Sequence, residues 1–200
     1  MQPNIRLATP ADCAQIAAIY APYVLDTAIS FESEPPGELE MRQRVSSTLE
    51  FLPWLVCTYG DRVVGYAYAE RFRTRAAYQW SSSVSVYVDS SVHRSGVGRG
   101  LYASLFKILE LQGFYNLFAG ITLPNEPSVG LHRSFGFQQI ALERNVGYKL
   151  GLWQDVSMWQ LPLRQCSSAP ENICSVEFVA KSARWLAAIA TGIPYLRKRR

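Results

Sequence analysis

Residues 84–113 read VSVYVDSSVHRSGVGRGLYASLFKILELQG, and three signals follow one another along them. Val84-Ser85-Val86-Tyr87-Val88 is a short apolar run with the composition of a β-strand. Asp89 to Ser95 is a polar turn that leads into Gly96-Val97-Gly98-Arg99-Gly100. Beyond it Leu101, Leu105, Ile108, Leu109 and Leu111 recur at roughly helical spacing, so an amphipathic helix follows. A strand feeding a glycine-rich turn at a helix N-terminus suits a polyanion. Glycines let backbone N–H groups come close, and the helix dipole adds partial positive charge. The spacing excludes two common polyanion loops. A nucleoside triphosphate loop needs GxxxxGK[ST] and a dinucleotide fingerprint needs GxGxxG; Gly96-x-Gly98-x-Gly100, with no lysine after it, satisfies neither.

The chain has 200 residues, 48% of them hydrophobic, which predicts one domain with a substantial core. Its four cysteines, Cys13, Cys57, Cys166 and Cys174, show neither metal-ligand spacing nor a disulfide framework, so no metal is expected. No signal peptide opens the sequence and no apolar run reaches spanning length, which makes a reducing cytoplasm the expected location. The net charge is +4, unevenly placed. In residues 164–200 seven Lys and Arg stand against Glu171 and Glu177; that segment carries +5 and leaves −1 for residues 1–163. The near-neutral body gives a nucleic-acid partner no support.

Outward from the central segment, strands and helices alternate, as an α/β sandwich requires. Asn4–Leu7 reads as a strand, and Thr9 or Asp12 can cap a helix bearing Ile16, Ile19, Tyr20 and Tyr23. Residues 27–36 are non-periodic and end in two prolines, hence a loop. Glu38–Leu49 is a second helix, and Trp54–Thr58 and Arg62–Phe72 form a hairpin about Gly60-Asp61. Asn116–Ile121 is a strand, a short helix starts at Pro124–Ser128, and residues 138–149 and 152–161 are strands joined at Gly151.

The loop spacing resembles the acyl-CoA loop of the GNAT superfamily, [QR]-x-x-G-x-[GA], with His93, Gly96 and Gly98 in its slots; the first departs from the usual Gln or Arg. Further segments extend the likeness over Ile5 to Leu163: Phe31-Glu32-Ser33-Glu34-Pro35, Arg75-Ala76-Ala77-Tyr78, Leu123-Pro124-Asn125-Glu126-Pro127-Ser128, Leu131-His132-Arg133-Ser134-Phe135-Gly136-Phe137 and Gly151-Leu152-Trp153-Gln154-Asp155-Val156. Together they resemble the phosphinothricin acetyltransferase branch, which N-acetylates small amino acids and analogues such as methionine sulfoximine. The resemblance implies a GNAT fold: a mixed, mostly antiparallel sheet of about six to seven strands flanked by about four helices. It further implies acetyl-CoA as co-substrate, direct transfer in a ternary complex, and a homodimer.

Residue by residue, it implies a pyrophosphate against the amides of Arg94, Ser95, Gly96, Val97, Gly98, Arg99 and Gly100. Val86 and Val88 would pair with the pantetheine amides beside Tyr87, and the Val86 N–H would meet the oxyanion. Asn125 and Ser128 would line the CoA arm, the former equally explained as a helix cap. His132 falls where this branch has a histidine that protonates the leaving thiolate. Arg73 and Arg75 fall where the family has cations for the substrate carboxylate, which a guanidinium binds bidentately, and Phe31, Glu32 and Tyr78 would shape that pocket.

The likeness breaks at the general base. In Trp80-Ser81-Ser82-Ser83-Val84-Ser85-Val86-Tyr87-Val88 the slot of the family's Glu holds Ser83, whose hydroxyl is far too weakly basic to take an ammonium proton and can only position a water. Glu70, at the end of the neighbouring hairpin strand, is the candidate replacement carboxylate; an enzyme that works slowly on amines already deprotonated is the other reading of this gap. Two alternatives stay open: acetylation of another amine (a polyamine, a drug or a protein N-terminus), and an acyl-CoA-binding module without chemistry. Residues 164–174 have linker composition. Residues 175–200 carry Val176, Val179, Ala180, Ala183, Leu186, Ala187 and Ala190 at helical spacing and end in Arg197-Lys198-Arg199-Arg200. Such a basic helical tail can dock on its own domain or lie on an anionic membrane surface.

Overall fold

The computed structural model describes residues 3–166 and 169–197. Its seven strands are β1 (Pro3–Leu7), β2 (Trp54–Tyr59), β3 (Arg62–Arg71), β4 (Ser81–Val88), β5 (Asn116–Leu123), β6 (Gln138–Lys149) and β7 (Leu152–Pro162). Its helices are α1 (Cys13–Leu25), α2 (Glu38–Leu49), α3 (Val97–Gln112), α4 (Glu126–Ser134), α5 (Val176–Ala180) and α6 (Trp185–Ala190). The strands form one sheet in the order β1-β2-β3-β4-β5-β7-β6. Every neighbouring pair is antiparallel except β4 and β5. The mixed, mostly antiparallel sheet and its four flanking helices follow the periodicities in the sequence.

Alternation along the strands divides the core in two. Leu55, Cys57, Ala67, Ala69 and Val84 face α3, whose Leu101, Leu105, Ile108 and Leu109 are fully buried against them. Trp54, Val56, Val63 and Tyr66 point the other way, onto Ile16, Tyr20 and Val24 of α1 and Met41 and Val45 of α2. The expected cap before α1 is present as a reciprocal box between Thr9 and Asp12. At the far end of α3, Gly113 closes the helix at φ +101°, which only glycine adopts without strain.

The tail departs from the single amphipathic helix expected over 175–200. It breaks into α5 and α6, joined by a turn at Lys181–Arg184, and a 3-10 turn Ile193–Tyr195 follows Gly192. The break lets Val176 and Val179, then Ala188 and Leu196, each reach the body of the protein, burying all four. Of the expected stripe only Val176 and Val179 are buried; Ala183, Leu186, Ala187 and Ala190 stay exposed, and Ala188 and Leu196 make the contact with the body instead. Lys198, Arg199 and Arg200 lie outside the described residues. Among the described residues no helix is long and apolar enough to cross a membrane.

Leu105 sits at the centre of the larger core with no exposed surface. Leu105→Ala should cost about 2–5 kcal/mol of stability, read as a lower urea midpoint at unchanged m-value.

Candidate active site

The β4–β5 pair is joined at only three positions, Ser81 with Asn116, Ser82 with Leu117 and Ser83 with Phe118. From Val84 the two strands part. β4 stays paired with β3 through Val88, while β5 continues beside β7. The inner edge of β4 is therefore left without a strand partner, a row of backbone donors and acceptors open to a ligand. Val84, Ser85, Val86 and Tyr87 line one wall of the resulting cleft and Ala119 to Thr122 the other; Tyr102, Asn125, Ser128 and His132 close it.

The glycine loop stands at the mouth. Asp89 caps the turn after β4 by accepting from the Ser91 N–H at 2.8 Å. Gly96 adopts φ +88°, and α3 begins at the next residue, leaving the amides of its first turn without partners inside the helix. The bare Cα of Gly98 faces Val86, Val88 and Leu131, with room for more than a hydrogen there. Arg94 to Gly96 thus form the turn and Val97 to Gly100 the first turn of α3, so the helix begins earlier than the sequence spacing suggests. The side chain of His93 turns away from it: Nε2 donates to the Val88 carbonyl at 3.1 Å and lies 3.3 Å from the Tyr23 hydroxyl. That hydroxyl also donates to the Val88 carbonyl at 2.6 Å, so both α1 and the loop hold the end of β4. Asn125 caps α4, its Oδ1 accepting from the Ser128 N–H at 3.2 Å, while also lining the cleft.

His132 is 3% exposed. Its Nδ1–H donates to the Ser128 carbonyl at 2.8 Å, which fixes the neutral tautomer and leaves Nε2 as an acceptor. Facing Nε2 at 3.3 Å is the hydroxyl of Tyr102. Burial lowers the imidazole pKa, only partly offset by the Ser128 carbonyl, and burial raises that of Tyr102. Both groups are held uncharged, with the tyrosine proton between His132 and the Val84 carbonyl at 3.5 Å. Sequence reasoning did not single out Tyr102. The available signal was its hydroxyl, which a buried tyrosine must satisfy.

Ser83 and Glu70 are direct cross-strand partners and so share a face of the sheet. Glu70 is solvent-accessible, yet the surrounding protein raises its carboxyl pKa: desolvation leads, Arg44 opposes it, and the Glu32 carboxylate adds to it. Glu32 itself is held low, chiefly by Arg44, whose guanidinium donates to both its oxygens at 2.7 and 2.9 Å, and Tyr20 donates to it at 2.9 Å. Phe31 packs its ring against the bare Cα of Gly147. Lys149 donates to the carbonyls of Val24 and Ser30, both at 2.6 Å, and so pins the loop that carries Phe31 and Glu32.

Phe72 stacks on Phe118 at 3.9 Å and carries the cationic segment to the edge of the Ser83 face. The Arg73 guanidinium lies 5.0 Å from the ring centres of both Phe72 and Tyr78 and donates to the Tyr78 hydroxyl at 3.2 Å. Arg71, Arg73, Arg75 and Tyr78 line a cavity of about 460 Å³ whose far wall is Phe51, Phe114 and Ile173. Phe31 and Glu32 do not line that cavity; they stand with Glu70 on the α1 and α2 side.

Comparison with known proteins adds what this geometry is used for elsewhere. Residues 5–159 match the family of acetyltransferase (GNAT) domains. A phosphinothricin N-acetyltransferase of Streptomyces viridochromogenes is 39% identical over 157 residues, which are 78% of this chain and 86% of that protein. An L-methionine sulfoximine/L-methionine sulfone acetyltransferase of Salmonella typhimurium is 33% identical, over 84% of this chain and 98% of that one. The crystal structure of a phosphinothricin acetyltransferase from Sinorhizobium meliloti in complex with acetyl-CoA superposes with a TM-score of 0.81 at 33% identity, covering 86% of this chain and 94% of that one.

A histidine kept neutral by burial makes folding pH-dependent. The unfolded chain takes up the proton first, so this contribution is complete above the unfolded pKa near 6.5 and is lost as pH falls through the lowered folded value. The melting temperature should drop from pH 7.5 to pH 5, and His132→Gln should flatten that drop, as differential scanning fluorimetry across the range will read.

Proposed function

The chain belongs to the GNAT acetyltransferase family, and from that premise we propose that it acetylates the amino group of a small amino acid or analogue of the phosphinothricin or methionine sulfoximine type, by direct transfer in a ternary complex. Acetyl-CoA is the co-substrate of this acetyltransferase. The observation that carries the reading is the opened β4–β5 pair beneath the glycine loop. It supports a thioester threaded along the free edge of β4, with its pyrophosphate at the unpartnered amides of α3 and its acetyl end near Val86. Transfer then needs a base for the ammonium, a donor for the oxyanion and a proton for the leaving thiolate.

Glu70 supplies the first. A carboxyl raised toward neutrality and set across from Ser83 takes the proton more effectively than an ordinary glutamate. The Val86 amide serves the oxyanion, and the Tyr102–His132 pair at the cleft wall protonates the thiolate. Orientation in the ternary complex supplies much of the rate. The carboxylate of the amino acid is read by the arginines after β3, whose fork geometry suits it; the relatives' amino-acid analogues support the same class. Four cysteines without a disulfide suit the reducing cytoplasm.

Thiol release from acetyl-CoA should be seen with phosphinothricin, methionine sulfoximine or a free amino acid, and acetyl-CoA binding without turnover on any such acceptor overturns the reading. In the active assay Glu70→Gln should lower kcat by about 10²–10⁴-fold and leave acetyl-CoA affinity intact. An unchanged kcat removes Glu70 from the role of base.

We further propose a homodimer through the β6–β7 edge. Ile140, Val146, Tyr148, Leu152 and Trp153 all stand more than half exposed along this one hairpin, an apolar surface larger than scattered residues explain. Light scattering should return twice the chain mass for the intact protein and one chain mass for the Tyr148→Ser/Trp153→Ser double variant; a monomeric parent contradicts the proposal.

A further inference from the structure

The three glycines of the loop do not face the same way. Gly98 faces the cleft, but Gly96 and Gly100 face the tail. A methyl group on Gly96 would fall inside the van der Waals shell of the Tyr195 carbonyl oxygen. One on Gly100 would lie 2.8 Å from the Gly192 carbonyl and 2.9 Å from the Leu196 side chain, and Gly192 in turn presses on the Gly100 carbonyl. Two backbones lie against each other here, which only glycines on both sides permit.

The contact is also bonded. The Arg197 N–H donates to the Ser95 carbonyl at 3.0 Å, and the Arg197 carbonyl accepts from the Tyr59 hydroxyl at 2.8 Å. The Ser104 hydroxyl donates to the Ile189 carbonyl at 2.7 Å and accepts from the Gly192 N–H at 3.1 Å. Leu196 is buried over Gly100, and the Arg99 guanidinium lies 5.2 Å from the centre of the Tyr195 ring. The segment Gly192–Arg197 therefore grips the loop at Ser95, Gly96, Arg99 and Gly100, on the side away from the cleft. It lies wholly beyond residues 5–159, the part matched by the family.

We infer that residues 191–197 are a positioning element of the acetyl-CoA site, a brace that holds the glycine loop in its anion-binding conformation. The inference rests on the reading that this loop takes the pyrophosphate. A glycine-rich loop is the most entropically costly backbone to order. A loop already ordered by a fixed neighbour spares the ligand that cost, which raises affinity without adding a contact to the ligand. The effect belongs to the pyrophosphate alone. The acetyl-pantetheine arm runs along β4, whereas the bonds and glycine contacts of Gly192–Arg197 fall on the loop, Tyr59 and α3.

The test compares two acetyl donors, acetyl-CoA and S-acetyl-pantetheine, which lacks the pyrophosphate and nucleoside. In the intact chain acetyl-CoA should have much the lower KM. Truncation after Ala190 should raise the KM and Kd for acetyl-CoA about ten-fold and change those for S-acetyl-pantetheine by less than about two-fold, with kcat and acceptor KM unchanged. Leu196→Ala keeps the tail in place and should shift acetyl-CoA alone in the same direction by a smaller factor, so the inference is tested even if the truncated chain unfolds. Equal losses on both donors would mark the tail as merely stabilising, and no loss on either would leave it without a role; both results overturn the inference. An intact chain indifferent to the pyrophosphate would instead overturn the reading of the loop, and the brace with it.

Discussion

The structure depends on a parting of two strands. β4 and β5 are the sheet's one parallel pair, and they hold together for three residues before β4 keeps to β3 and β5 to β7. The N–H and C=O groups of an unpaired strand edge need partners from elsewhere, and side chains meet part of that need here: Tyr102 reaches the Val84 carbonyl, and Tyr23 and His93 the Val88 carbonyl. Tyr102 of α3, Ser128 and His132 of α4 and Asn125 just before α4 wall in the cleft along that edge. A cleft of this kind presents main-chain groups to a ligand in fixed positions, with no side-chain entropy to be lost. The same parting explains why Tyr102 and His132, from two helices, face one another. With the strands apart, their side chains fill what would otherwise be sheet.

The electrostatics of the two sides are arranged differently. On the α3 side the polar groups are kept neutral: an imidazole with its Nδ1–H committed to a carbonyl, and a phenol that burial makes a poorer acid. On the α1 and α2 side the groups are charged and paired. Desolvation leads at Glu70 and Arg44 only opposes it, whereas two bonds from Arg44 lead at Glu32, so neighbouring carboxylates move in opposite directions. Ser83 stands directly across from Glu70 on the same face of the sheet.

Most of the fold could be read without coordinates. The strand, the turn and the helical spacing of residues 84–113 predicted β4, the loop and α3, and the alternation elsewhere predicted the remaining strands closely. The glycine loop was legible in its spacing, whereas Asn125, Ser128 and His132 were named through the family resemblance; all three line one cleft. Tyr102 was legible in neither way, because its helical position reads as core and only the distance to His132 shows what its hydroxyl meets. The outward turn of His93 was hidden for the same reason: its partners, Val88 and Tyr23, come from other elements. The tail was legible as apolar and basic, but its two breaks answer to the shape of α3, which one-dimensional periodicity does not contain.

Lys149 ties together parts of the chain that sequence order keeps far apart. Its ammonium bridges two carbonyls on either side of the loop after α1, while its backbone belongs to the hairpin at the sheet's outer edge. Phe31 repeats the tie from the loop's side by resting on Gly147. The shape of that loop is consequently a joint property of residues 24–31 and 147–149. In evolution or in protein engineering the two segments form one unit of exchange: a loop transplanted without its lysine and glycine would arrive without the anchors that give it a shape.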